Sequence, residues 1–132
     1  MQFRFLIIIL LIGLVGCRHS HREDEQRNEL TEQVTLNDGK RWLANAETTA
    51  GIKAMISAID TTDPLTTESV ATLKDVLQEN FASILKQCTM KGEAHNQLHH
   101  YLVPLKKEID QLSIENIPVV RAHLLKYDVY FN

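Results

Sequence analysis

The chain has 132 residues, 44% of them hydrophobic, 6% aromatic and 23% charged, with a formal net charge of −3. That length supports one domain with one core, and the mild acidity excludes nucleic acid as a partner, since a polyanion needs a basic face. Two cysteines, six histidines and three methionines leave soft-ligand chemistry open.

Met1 to Phe5 carry one positive side chain, Arg4, and Leu6 to Val15 form an apolar run broken only by Gly13. This is the n-region and h-region of a secretory signal peptide over residues 1–16, with Gly16 as the small residue at the cut. The run is too short for a comfortable transmembrane span of about 20 residues. Leu14-Val15-Gly16-Cys17 resembles the lipobox of bacterial lipoproteins. The resemblance implies a diacylglycerated Cys17 thiol, cleavage before it and acylation of the new amino terminus, so that the membrane is met through lipid. Two or more acyl chains anchor firmly where one binds only marginally. Arg18 stands where many inner-membrane lipoproteins have aspartate, so the resemblance favours the outer membrane, facing the periplasm.

Residues 17–33 contain almost no apolar side chains and read as a disordered tether, because they bury too little surface to offset ordering entropy. His19 and His21 lie there and are read as incidental. The domain is expected over residues 34–132. Asn37-Asp38-Gly39 signals a tight turn or short hairpin, and Trp42, the single tryptophan, is expected to anchor packing at one end of the domain.

Ile52, Met55, Ile56 and Ile59 recur at helical spacing, which predicts a first helix from about 46 to 59, followed by a polar connection ending at Pro64. A second helix follows, capped by Thr66 or Thr67, with Val70, Leu73, Leu77, Phe81, Ile84 and Cys88 as one stripe. Met90-Lys91-Gly92 breaks it. A third helix is expected from about 93 to 112 through His95, Leu98, Leu102, Leu105, Ile109 and Leu112, bent at Pro104. A fourth is expected after Ser113 through Val120, Leu124 and Tyr127, with Pro118 in its first turn. Val129-Tyr130-Phe131 fits an extended strand equally well. The expected fold is all-α, an antiparallel four-helix bundle preceded by the turn and the tether.

With Cys17 lipidated, Cys88 has no intramolecular disulfide partner, and in an oxidising compartment such a thiol must be buried, ligated or bridged between molecules. Cys88 ends one apolar stripe and His95 begins the next, so both face inward at the same helix–helix corner. His99 is one helical turn beyond His95 on nearly the same face. Met90 lies in the connection, and Met55 could approach from the first helix. Thiolate, thioether and imidazole suit Cu(I) or Zn(II), so Cys88, His95, His99 and Met90 form the candidate metal set. The same side chains also suit a core in which cysteine is filler and histidine is satisfied by hydrogen bonds. His100 and His123 are expected at the surface on other faces. A Cys88–His95 nucleophile pair is disfavoured, since neither an orienting acid nor an oxyanion nest is evident.

Gly39-Lys-Arg-Trp42 and Cys88-Thr-Met-Lys-Gly92-Glu-Ala-His95-Asn-Gln-Leu-His99 are similar to a group of small bacterial secreted or lipid-anchored proteins. In that group a Gly-Lys-x-Trp element precedes helices and a Cys-Thr-Met-x-Gly-x-x-His-x-x-Leu-His segment follows. The resemblance covers roughly residues 36–105 and implies a shared helical domain, with residues 113–132 as an extension. The expectation for function is a non-enzymatic, lipid-anchored envelope module that binds or senses a soft metal ion. The alternative is an interaction lipoprotein that docks an envelope protein partner without metal.

Overall fold

The computed structural model describes residues 33–132 apart from Pro64. The signal peptide, Cys17 and the tether up to residue 32, with His19 and His21, lie outside the described residues. The domain is all-α. Its helices are α1 (Ala46–Thr61), α2 (Thr67–Gln87), α3 (Gly92–Asp110), α4 (Ile117–Leu125) and the single turn α5 (Tyr127–Tyr130).

The turn expected at Asn37-Asp38-Gly39 is a two-residue hairpin. Asn37 and Lys40 exchange both backbone hydrogen bonds at 2.9 Å, with Asp38 at φ 48° and Gly39 at φ 79°. Two successive positive φ values are the primed turn that matches hairpin twist, and Gly and Asp tolerate it best.

Helix α2 begins as its sequence asks. The Thr66 hydroxyl accepts from the Ser69 N–H at 3.1 Å, and the Ser69 hydroxyl accepts from the Thr66 N–H at 2.9 Å, a reciprocal cap. Its stripe Val70, Leu73, Leu77, Phe81 and Ile84 is buried throughout. Helix α1 contributes Ile52, Met55 and Ile59, and packs against both α2 and α4. Gly51 allows the close approach to α2, since a Cβ there would lie 2.5 Å from Ile84 Cγ1. Helix α3, which packs against α2 and α4, buries Leu98, Leu102, Leu105 and Ile109 as its spacing predicts. It also buries Tyr101 and Gln97, which the spacing did not single out. It runs unbroken through Pro104, whose missing N–H leaves the His100 carbonyl without its helical donor.

The C-terminal segment departs most from expectation. Asn116 precedes α4 without a side-chain cap, and Pro118 falls in the first turn, as expected. Tyr127–Tyr130 then forms a helical turn rather than a strand, and only Phe131 is extended, in a parallel bridge to Trp42. Trp42 N–H donates to the Tyr130 carbonyl at 2.7 Å, Asn132 N–H to the Trp42 carbonyl at 3.0 Å, and Ala44 N–H to the Asn132 carbonyl at 2.9 Å. Phe131 is fully buried and stacks on Tyr127 with ring centroids 5.1 Å apart. Residues 117–131 contribute to the core, as the expected fourth helix requires: Ile117, Val120, Leu124, Tyr127 and Phe131 are all buried. Trp42 packs on this core, half-buried, and its indole N–H donates to the Thr35 carbonyl at 2.6 Å. Among the described residues no helix is long and apolar enough to cross a membrane.

Candidate functional site

The turn between α2 and α3 puts the sequence's soft donors side by side. Cys88 is the residue just past α2, in extended backbone at φ −65° and ψ 121°. Four residues later Gly92 takes φ +64°, a left-handed conformation that favours glycine, and the chain turns into α3 there. His95 comes in the first turn of α3 and His99 one turn further on. The Cys88 thiol Sγ lies 3.6 Å from His95 Nδ1, and His95 Nε2 lies 3.0 Å from His99 Nε2. The two imidazoles meet edge to face, with centroids 4.5 Å apart at 76°. Cys88 and His95 are half-buried, and His99 is exposed.

These three side chains form a row, not a cage. Cys88 addresses one nitrogen of the His95 ring and His99 the other, and the lone pairs of the two nitrogens diverge. Among the described residues no three His, Cys, Asp or Glu side chains gather around one point as a ready-made metal group. Met90 is half-buried and packs against the core, and Met55 is wholly buried within it.

The row is held from several directions. Asn45, just before α1, donates through Nδ2 to the Gln87 carbonyl at 3.3 Å and fixes the end of α2. Tyr127 bonds the Thr49 hydroxyl at 3.0 Å. Burial pushes the Tyr127 phenol above its ordinary pKa; the bond from Thr49 opposes this, while Asp128 and the Cys88 thiol add to it, so the thiol is within electrostatic reach of that phenol. Gln97 is buried and bridges two elements. Its Nε2 donates to Glu93 at 2.8 Å, and its Oε1 accepts from the Thr35 N–H at 2.8 Å. Bonds from Gln97 and Asn96 hold the Glu93 carboxyl below its ordinary range, with a smaller contribution from His100. That carboxylate also favours the positive end of the α3 dipole.

Two histidines expected at the surface are placed otherwise. His123 is only 15% exposed: Nδ1 meets both Glu108 oxygens at 3.0 Å, and Nε2 meets the Tyr101 carbonyl at 3.2 Å. Leu124 lies on the core side of α4, so its neighbour His123 is carried against α3 rather than into water. His100 is half-buried, and its Nδ1 is buried without a hydrogen-bond partner. Thr49 and Gln97 escaped the sequence reading, and Tyr127 was read only as a packing residue of the fourth helix. Their roles depend on Tyr127 of α5 reaching Thr49 of α1 and on the 33–36 segment lying against α3, neither of which a periodic pattern encodes.

No family model, curated protein or solved structure matches this chain.

Proposed function

We propose that the chain is a lipid-anchored module of the bacterial envelope that binds a soft metal ion at the corner between α2 and α3. In this reading the four longer helices pack as an antiparallel bundle, which the short connections at 62–66, 88–91 and 111–116 favour, and the site lies at one end of it. Cys17 carries the lipid, and residues 17–33 hold the domain away from an outer-membrane surface facing the periplasm.

The observation that carries the metal reading is the Cys88–His95 separation. Bond lengths of about 2.3 Å to sulfur and 2.0–2.1 Å to nitrogen put adjacent donors of tetrahedral zinc about 3.5–3.6 Å apart. Cys88 Sγ and His95 Nδ1 are 3.6 Å apart. His95 then has Nε2–H free to donate to His99 Nε2 at 3.0 Å. A ligating imidazole ordinarily makes such an outer hydrogen bond, which fixes its tautomer and strengthens the donor. In this reading Cys88 and His95 are ligands, His99 orients His95, and Zn(II) is favoured over Cu(I).

Zinc competition titration against a chromogenic chelator tests the reading. Wild type binds zinc below micromolar Kd, and affinity weakens as pH falls, because protons compete for both donors. Cys88→Ser and His95→Ala each abolish tight binding, while His100→Ala leaves it unchanged. No binding below micromolar in wild type, or binding unaffected by Cys88→Ser, removes the metal reading. The anchor is tested separately: Cys17→Ala abolishes lipid labelling and leaves an uncleaved or mislocalised precursor. Unlabelled wild type in the aqueous phase of a detergent separation overturns the lipobox assignment.

A further inference from the structure

We infer that the zinc ion is shared between two copies of this chain, each supplying Cys88 Sγ and His95 Nδ1 to a Cys₂His₂ tetrahedron. The inference rests on the zinc reading above and adds the identity of the missing donors.

A closed zinc site takes four ligands. Among the described residues one chain offers one correctly spaced pair, because the third donor side chain, His99, lies on the far nitrogen of the His95 ring. A twofold axis through the metal turns one pair into four donors without any further residue type. Contacts of this self-complementary kind are the commonest in soluble oligomers.

The surroundings suit a second copy. Cys88 and His95 are half-buried at a corner rather than sealed in the core, so two vertices of the tetrahedron can be reached from outside. Apolar side chains lie beside them. Leu85 is 49% exposed three residues before Cys88, close to one helical turn away, and Leu43 is 78% exposed. Leu43 is brought near by Asn45, two residues on, whose side chain bonds the Gln87 carbonyl. Charges in the neighbouring sequence are mixed, Lys86 and Lys91 with Glu47 and Glu93. A patch meeting its own copy therefore does not oppose charges of a single sign.

Native mass spectrometry of the full chain, purified metal-free in detergent and titrated with zinc chloride, tests the inference. Expected is a species of two chains and one zinc, saturating at half an equivalent per chain and returning to single chains when a chelator is added. Cys17→Ala, which removes the only other cysteine, behaves the same. Cys88→Ser and His95→Gln lose the zinc-dependent pair, with helical circular dichroism confirming that each variant folds. Leu85→Glu raises the zinc concentration needed for pairing at least tenfold.

One zinc on a single chain overturns sharing and leaves the zinc reading standing. Absence of zinc uptake below micromolar overturns both. A two-chain species that persists in chelator, or survives Cys88→Ser, overturns the metal bridge.

Discussion

Two histidines in this domain have both ring nitrogens engaged, and the contrast between them separates structure from chemistry. His123 meets a carboxylate and a backbone carbonyl, both oxygen acceptors fixed by the fold, and is nearly buried. Such a ring is spent on holding α4 to α3. The partners of His95 are a thiol and a second imidazole, groups that themselves gain or lose protons and bind soft metals. One set of bonds consumes the side chain, and the other leaves its valence available. Burial and hydrogen-bond count alone would rank the two alike; the chemical identity of the partners does not.

The comparison breaks most sharply at His123. His123→Ala removes the partner of a partly buried Glu108 carboxylate and the side-chain bond to the Tyr101 carbonyl, and the loss of charge-assisted bonds costs about 2–3 kcal/mol. In a domain of this size that lowers Tm by roughly 10 °C or more, read by thermal circular dichroism, with zinc affinity unchanged. His99→Ala should do the reverse. Losing the outer hydrogen bond to His95 weakens zinc binding about 10–100-fold, measured by chelator competition, while Tm of the metal-free protein barely moves because His99 is exposed. If both variants lose only stability, the two histidines are of one kind and the distinction fails.

Two smaller effects sharpen the frame around the site. Gly51→Ala gains about 1 kcal/mol of helix propensity but pushes a Cβ into the buried Ile84 side chain, an overpacking cost of about 1–3 kcal/mol. Net destabilisation of about 1 kcal/mol should appear as a lower urea midpoint at constant slope. Thr66→Ala removes the cap of α2 at the end remote from Cys88 and costs about 1 kcal/mol, with metal binding untouched.

The helices were legible in the sequence because their stripes are long and uninterrupted: Val70 to Ile84 and Leu98 to Ile109 need only the 3.6-residue period. The adjacency of Cys88 and His95 was legible for the same reason, as the last member of one stripe and the first of the next. What spacing does not carry is which nitrogen of a ring faces which neighbour, so the row of Cys88, His95 and His99 reads in sequence as a cluster. The placement of His123 was illegible because its partners, Glu108 and the Tyr101 carbonyl, belong to another helix. The C-terminal turn stayed open between helix and strand in the sequence because Val129-Tyr130-Phe131 is a β-prone triplet, whereas stacking of Phe131 on Tyr127 follows a helical turn that sets those residues four apart.

The pairing of residues 42–44 with 130–132 also sets an order of events. Its hydrogen bonds join backbone nearly ninety positions apart, so they form only after residues 130–132 have left the ribosome. Until Phe131 arrives, Trp42 lacks its strand partner, and Tyr101 and Tyr127 lack the ring that packs against them both. Completion of this fold therefore waits on Phe131 and Asn132. A tag fused directly after Asn132 would begin beside Ala44, within the closure itself, and a flexible spacer is the remedy.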